Sequence, residues 1–166
     1  MDAGGILALD LSGVVGWAYA PPTTARIAPL CGAWTLPKHG GLGAKMAAYE
    51  NELIAALALH DPRCIVMEAP LPPTGQASTM VAMQQFGLAA MTESAAYRAS
   101  VKVFQVASST VRKAIMGTGR FKAGTAKDEV LAWCRNQGWP VPDHNAADAC
   151  LVWKYAALKI AAGSPL

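Results

Sequence analysis

The order of apolar and polar positions predicts three strands in the first part of the chain. Residues 6–9 are continuously apolar, a pattern typical of a central strand that is covered on both faces. Asp10 follows directly, and a glycine-containing turn leads into a second apolar run. Residues 31–36 predict a further strand, so that the strands would form an antiparallel meander.

The middle of the chain predicts a helix and then another buried strand. Apolar residues recur at helical spacing over residues 44–60, and Pro62 ends that element. The segment CIVME, residues 64–68, is short and apolar and ends on Glu68. Three prolines follow within residues 70–73, and proline cannot continue a strand. The chain is therefore expected to leave the sheet just after Glu68.

The second half predicts a helix over residues 80–100, a strand over residues 101–107 and then a series of helices. Ser108 or Ser109 is expected to cap the first helix of that series, because serine side chains accept hydrogen bonds from free amides at a helix start. We expect one α/β domain over residues 1–166, with helices packed around a mixed sheet. The last predicted helices cover residues 108–117, 125–138 and 145–163.

Three acids lie where acidic side chains are poorly tolerated for structural reasons alone. Asp10 and Glu68 each end an apolar strand, and Asp148 lies between two alanines near the start of an otherwise apolar helix. Asp10 could instead shape its turn, and Asp148 could offset the helix dipole, whereas Glu68 has fewer structural explanations. Taken together, the acids favour a shared cation, since carboxylates supply the hard oxygen ligands that magnesium prefers.

A fourth ligand is left open among the residues just before Asp148. Asn145 would share a helical face with Asp148, because it lies three positions earlier. Asp143 and His144 lie at or before the helix start, where Asp143 could instead be a cap. Any one of them could complete a site in which two divalent ions, about 3.5–4 Å apart, act on a phosphodiester.

Positive charge is concentrated in one part of the chain. Residues 98–135 contain eight lysines and arginines against two acids, an excess of +6 in a chain whose net charge is +3. Phosphate contacts supply most of the non-specific affinity of proteins for nucleic acids. This segment therefore predicts a nucleic-acid-binding surface, with an ordinary solvated face as the alternative.

The four cysteines are widely spaced, with no CxxC pair, so a zinc site is not expected. Cys64 and Cys150 lie in apolar runs and are expected to be buried thiols. No signal-like segment opens the chain, and no apolar run is long enough to span a bilayer. A cytoplasmic protein without membrane association is the default expectation.

Together these motifs resemble the RuvC family of Holliday junction endonucleases, its divergent phage-type members included. The resemblance is carried by ILALDLSGVVGWAYA at residues 6–20, CIVMEAPL at 64–71 and HNAADACLVW at 144–153. Residues 103–134 are similar to the family's stretch of strand, basic loop and lysine-containing helix. The ordered series of motifs covers nearly the whole chain.

The resemblance implies an RNase H-like fold with a mixed central sheet, a homodimer, and paired symmetric cuts across a four-way DNA junction. It also implies that Asp10, Glu68 and Asp148 are catalytic ligands of two Mg²⁺ ions, for which Mn²⁺ can substitute. The family's fourth ligand is an acid or a histidine three residues before the last carboxylate, where this chain has Asn145. This departure leaves the alternatives for the fourth ligand open.

The resemblance also implies contacts with DNA. Lys122 and Lys127 correspond to the family's basic positions near the scissile phosphate, and Lys127 is counted among the catalytic residues. Lys113, Arg120 and Lys122 are candidate DNA contacts. Gln76 in the proline-rich loop is another, with a solvated loop residue as the ordinary alternative.

Three other functions are weighed against the resolvase. An RNase H-like nuclease could act on other branched DNA or on RNA–DNA hybrids, and a non-catalytic protein could bind junctions without cutting them. The binding protein would be expected to lack one of the three acids, and all three are present. A phosphotransferase of the actin and sugar-kinase type also opens with a strand and an aspartate, but 166 residues are too few for its two lobes.

The aromatic wedge of the RuvC family has no obvious counterpart in this sequence, and Leu71 is the residue nearest to its place.

Overall fold

A computed structural model describes residues 4–23, 27–72, 74 and 78–166 of the chain. Among these residues, no helix is both long enough and apolar enough to cross a membrane. The elements in chain order are β1 (Ile6–Asp10), β2 (Val14–Ala20), β3 (Leu30–Thr35), α1 (Gly41–His60), β4 (Cys64–Glu68), α2 (Thr79–Arg98), β5 (Lys102–Val106), α3 (Ser108–Met116), α4 (Ala126–Asn136) and α5 (His144–Ala161).

The strands form one mixed sheet in the order β3-β2-β1-β4-β5. β1, β2 and β3 are antiparallel neighbours, as the apolar runs predicted. β4 pairs parallel with β1, and β5 pairs parallel with β4. β1 is central, which explains why all of its residues are buried. The predicted α/β architecture, an antiparallel meander extended by parallel strands, is confirmed.

Alternate residues of the central strands pack into two separate hydrophobic cores. Ile6 and Ala8 of β1 belong to the core formed with α3, α4 and α5, whereas Leu7 and Leu9 belong to the core formed with α1 and α2. β4 alternates in the same way. Side chains of a strand point alternately to opposite faces, so the sheet lies between two helical layers. Even-numbered positions of β1 and β4 therefore face α5.

The last helix lies against the sheet with a very short distance between backbones. α5 is buried along most of its length, and Trp153 Nε1 donates a hydrogen bond to the Ala20 carbonyl at 3.0 Å. At the helix start, a Cβ on Gly16 would lie 2.0 Å from the carbonyl oxygen of Asn145. Gly16 pairs with Asp10 in the sheet. The absence of a side chain at Gly16 thus lets the start of α5 lie beside the end of β1.

The start of α3 differs from the sequence prediction. Its N-cap is Ala107, with no side-chain hydrogen bond, so the expected cap by Ser108 or Ser109 is wrong. β5 ends at Val106 and the chain enters the helix almost at once, so both serines already have helical conformation. A side chain inside the first turn cannot take the capping position that precedes it.

Gly16→Ala is expected to destabilise the protein by about 2 kcal/mol or more, because the added methyl group would meet backbone atoms that cannot move aside. Chemical denaturation followed by circular dichroism measures the loss. Gly13→Ala is the matched control, since a Cβ there meets nothing within 4 Å, and its effect should stay within about 0.5 kcal/mol. Equal effects of the two substitutions would contradict the close approach of α5.

Candidate active site

Two of the predicted acids end neighbouring parallel strands. Asp10 closes β1 and Glu68 closes β4, and the strands are in register up to the pair Leu9 and Met67. Both acids occupy even-numbered positions, which face α5. Adjacent strands are about 4.8 Å apart. The register therefore brings the two carboxylates out side by side on the face that α5 covers.

The start of α5 adds the third acid to this edge of the sheet. Asp148 lies in the second turn of the helix and is 4% exposed, whereas Asp10 is 7% exposed and Glu68 is partly buried. The helix is capped by Asp143, whose Oδ1 accepts a hydrogen bond from the Ala146 amide at 2.8 Å. Capping fixes where the helix begins and, with it, where Asp148 lies.

Burial raises the pKa of all three acids, and repulsion from neighbouring acids raises the pKa of Asp10 and Glu68 further. Burial, followed by the charge of Asp148, raises the pKa of Asp10 to about 7. Burial, followed by the charges of Asp10 and Asp148, raises the pKa of Glu68 to about 8. The pKa of Asp148 is raised by burial. Arg112 and Lys127 oppose every one of these shifts. The acids therefore form one interacting group that is short of positive charge.

Arg112 of α3 belongs to this group, although the sequence analysis selected its neighbour Lys113 instead. One Nη of Arg112 lies 3.4 Å from Asp148 Oδ1, and 19% of the arginine side chain is exposed. Its Nε is buried without a hydrogen-bond partner among the described residues. No local signal in the sequence separates Arg112 from Lys113, whereas the structure shows that Arg112 faces the same cleft as Ser108, one helical turn earlier.

Asp10 and Glu68 line a cleft of about 230 Å³, and Asp148 reaches it through its contact with Arg112. Gln85 of α2 contributes to its wall and was not selected from the sequence. Leu71, the residue nearest to the family's wedge position, also lines the cleft and is 51% exposed. The wall consists of Asp10, Leu11, Glu68, Ala69, Pro70, Leu71, Gln85, Ser108 and Arg112.

The three candidates for the fourth ligand have different surroundings. Asn145 Oδ1 lies 3.3 Å from Ser12 Oγ, which in turn lies 3.5 Å from Asp10 Oδ2. Asp143 caps α5. His144 Nε2 lies 3.6 Å from Asp128 Oδ1 on α4. Of the three, Asn145 is the one joined to the Asp10 turn.

The predicted basic residues divide into separate groups. Lys127, at the start of α4, acts on all three acids. Lys113 and Arg120 line a second pocket of about 450 Å³, which shares no lining residue with the acid cleft. Lys122 is exposed in the loop between α3 and α4. Gln76 lies outside the residues that the structure describes.

The donor set suits a hard divalent cation. Carboxylate oxygens are the usual protein ligands of magnesium, and a cation among these acids would relieve their repulsion. Over residues 4–23, 27–72, 74 and 78–166, however, no three His, Cys, Asp or Glu side chains are placed so that they could hold one ion together. Arg112 lies against Asp148 in this arrangement. Metal binding would therefore require the carboxylates to turn toward a common ion.

Comparison by sequence finds no matching protein-family model and no curated protein with significant similarity. Comparison by structure finds the RuvC structure of Thermus thermophilus, at a TM-score of 0.76 and 17% identity over 96% of this chain and 97% of that one. The same T. thermophilus protein in complex with a Holliday junction substrate gives 0.75 and 16% identity, over 98% and 99% of the two chains. The yeast mitochondrial Holliday junction resolvase gives 0.57 and 15% identity, over 95% and 81%.

At these identities, the likeness establishes the fold of the chain. The mixed sheet and its helices match the RuvC structures, which have an RNase H-like fold. The fold that the sequence resemblance implied is thereby confirmed.

Asp10→Asn is expected to stabilise the metal-free protein at high pH. Folding raises the pKa of Asp10 and Glu68 from ordinary values of 3.8 and 4.5 to about 7 and 8, so the folded state binds more protons than the unfolded state between those limits. Stability in EDTA should therefore fall as the pH rises through this range. Removing the Asp10 charge should recover about 2 kcal/mol near pH 9 and much less near pH 5.

Urea denaturation at the two pH values measures this difference. Asp61→Asn is the matched control, because Asp61 is exposed and asparagine also accepts its left-handed backbone conformation. A stability gain for Asp10→Asn that is equal at both pH values would show that charge repulsion is not its cause.

Proposed function

We propose that this chain is a magnesium-dependent endonuclease that resolves four-way DNA junctions by paired symmetric nicks. The proposal is carried by one observation: Asp10, Glu68 and Asp148 come together from separate elements and interact electrostatically, and the first two line a cleft. Arg112, which also lines this cleft, and Lys127 oppose the raised pKa of all three acids. Buried acids of this kind cost folding free energy, as their raised pKa values indicate. Such a cost is typical of residues retained for chemistry rather than for stability.

The proposed metal ligands are Asp10, Glu68 and Asp148, with Asn145 as the fourth. Asn145 is favoured because it is joined to the Asp10 turn, whereas Asp143 and His144 have other partners. When bound, two divalent ions would activate water and stabilise charge on the entering and leaving oxygens of the phosphodiester. Mn²⁺ offers the same preference for oxygen ligands and should substitute for Mg²⁺.

The basic residues of the chain bind and orient the phosphate in this proposal. Arg112 lines the cleft and presents several N–H donors, which suit the oxygens of a phosphate. Lys127 adds a second positive charge that acts on the same acids. Lys113 and Arg120 line the neighbouring pocket and would contact the DNA backbone away from the cut, with Lys122 on the exposed loop beyond.

Four-way junctions are the proposed substrate because of the structural neighbours and the form of the cleft. One neighbour was solved with a Holliday junction substrate, and another is a Holliday junction resolvase. Leu71 stands half exposed at the cleft wall, where an apolar side chain could enter a base step. This arrangement supports branched DNA over a continuous duplex.

A second copy of the chain is the proposed partner along α2. Four large apolar side chains on this helix are exposed: Met80 (59%), Met83 (50%), Phe86 (44%) and Tyr97 (86%). The first three lie three positions apart, and Tyr97 lies eleven positions after Phe86. Exposed apolar residues at helical spacing are typical of an interface between helices. A symmetric dimer through this stripe would carry two active sites, as paired nicks require.

A reducing compartment such as the cytoplasm is consistent with the cysteines. All four are free thiols, and three of them, Cys64, Cys134 and Cys150, are buried. Cys64 and Cys150 are the thiols that the sequence placed in apolar runs. Disulfides are rare in cytosolic proteins, where thiols remain reduced.

Cleavage of a labelled mobile four-way junction tests the proposed function. The wild-type protein should make paired symmetric nicks in Mg²⁺ or Mn²⁺ and none in EDTA, while a linear duplex of the same sequence stays intact. Asp10→Asn should lose cleavage and retain junction binding, because the substitution removes a ligand charge without changing side-chain size. Both nicks within the lifetime of one complex would require two active sites.

Each other outcome selects a different function. Cleavage of an RNA–DNA hybrid in place of the junction would indicate a different RNase H-like nuclease that uses the same acids. Tight junction binding without cleavage in either metal would favour a non-catalytic binding protein. Single unpaired nicks would contradict the dimer.

Arg112→Ala should lower the rate of junction cleavage by about 100-fold, because a charged group beside the acids stabilises the reacting phosphate. Lys113→Ala, one residue along the helix, should mainly weaken binding, since Lys113 faces the neighbouring pocket. Single-turnover cleavage and a binding titration separate the two effects. Rate losses of the same size for both substitutions would remove Arg112 from its proposed position at the phosphate.

A further inference from the structure

Gln84 is a buried polar residue that the hydrophobic core does not explain. The described part of the chain buries four polar or charged side chains: Asp10, Gln84, Thr92 and Asp148. Two of these, Asp10 and Asp148, belong to the interacting group of acids. Thr92 is satisfied within the core, by the Tyr49 hydroxyl at 2.6 Å and the Leu88 carbonyl at 2.8 Å. Gln84 instead has partners at the catalytic end of the sheet.

The two ends of the Gln84 amide connect α1 with the turn after β1. Lys45 Nζ donates a hydrogen bond to Gln84 Oε1 at 2.7 Å. Gln84 Nε2 donates to the Ser12 carbonyl oxygen at 3.4 Å. Since the lysine holds the amide oxygen, the amide nitrogen is directed toward Ser12. The chain of contacts thus runs from α1 through α2 to the residue that lies two positions after Asp10.

Ser12 is joined to the cleft by its other atoms. Its amide donates to the Asp10 carbonyl at 3.1 Å, and its hydroxyl donates to the Val14 carbonyl at 2.7 Å. The same hydroxyl lies 3.3 Å from Asn145 Oδ1. The turn is therefore contacted from both faces of the sheet, by Gln84 on the α2 side and by Asn145 on the α5 side.

We propose that Lys45 and Gln84 are a positioning pair, which holds the turn of residues 10–14 so that Asp10 and Asn145 can bind a metal ion together. This proposal rests on the proposed function for the identity of the metal. The pair lies on the opposite side of the turn from α5, and among the described residues no hydrogen bond or ion pair joins it to Asp10, Glu68 or Asp148. Partners behind metal ligands fix ligand orientation, and their loss commonly weakens metal binding about 10-fold or more.

Substitutions at Gln84 separate the two hydrogen bonds. Gln84→Glu keeps the acceptor for Lys45 but loses the donor to the Ser12 carbonyl, whereas Gln84→Leu loses both in a side chain of similar size. Lys45→Met removes the anchor of the amide, and Lys45→Arg keeps a donor to it. Gln105→Leu is the matched control, because it makes the same chemical change at an exposed position on β5.

Hydrogen exchange of the full-length protein, without metal or DNA, is the first readout. Gln84→Leu and Gln84→Glu should speed amide exchange in residues 10–14 and leave exchange in β4 unchanged. Calorimetric titration with Mg²⁺ alone is the second readout, and it should show affinity about 10-fold weaker for both variants. Lys45→Met should also speed exchange in residues 10–14 and weaken Mg²⁺ binding. Lys45→Arg should keep the wild-type exchange rate and Mg²⁺ affinity. Thermal unfolding checks that every variant is folded.

Wild-type exchange in the turn and wild-type Mg²⁺ affinity for Gln84→Leu would overturn the positioning pair. So would equal effects of Gln84→Leu and Gln105→Leu. If the wild-type protein binds no Mg²⁺ and cuts no junction, the proposed function fails, and faster exchange confined to residues 10–14 would still support the structural role of the pair. The two proposals therefore fail by different measurements.

Discussion

The repulsion among three closely placed carboxylates, two of them buried, is the interaction on which the rest of the structure depends. Asp10, Glu68 and Asp148 lie close enough to raise one another's pKa or to share the same opposing cations. A fold optimised for stability alone would separate them or replace them with apolar residues. Instead, Arg112 and Lys127 offset part of the charge, and the remaining deficit is what a divalent cation would fill.

Two features of the backbone hold the acids together against this repulsion. The parallel pairing of β1 and β4 puts the ends of both strands at one edge of the sheet. Gly16 lets the start of α5 approach β2 at a distance that any side chain would prevent. The acids are therefore placed by main-chain contacts, which repulsion between side chains cannot easily displace.

Helix α3 gives the cleft and the neighbouring pocket their separate positive charges. Arg112 and Lys113 are adjacent in sequence, but successive residues of a helix point about 100° apart. Arg112 consequently lines the acid cleft, and Lys113 lines the pocket with Arg120. A phosphate at the acids and another along the backbone would thus meet different cations.

The sequence by itself determined the strands and the three candidate acids. The continuous apolar runs of β1 and β4 could be recognised as strands before their neighbours in the sheet were known. A strand that is buried on both faces is apolar at nearly every position. An acid at the end of such a run is conspicuous for the same reason. Most of the fold and the acids of the candidate site were therefore accessible from local pattern.

Tertiary structure decided which cations and amides face the acids. Arg112 and Lys113 are indistinguishable in a basic segment, and the packing of α3 against α5 selects between them. Gln84 looks like a surface residue beside Gln85, but it is buried and accepts a hydrogen bond from Lys45, which lies 39 positions away. The N-cap of α3 was also predicted wrongly. β5 leads so directly into the helix that Ala107 takes the capping position and both serines lie inside the first turn. Contacts between distant segments depend on how whole elements pack, and no local pattern encodes that packing.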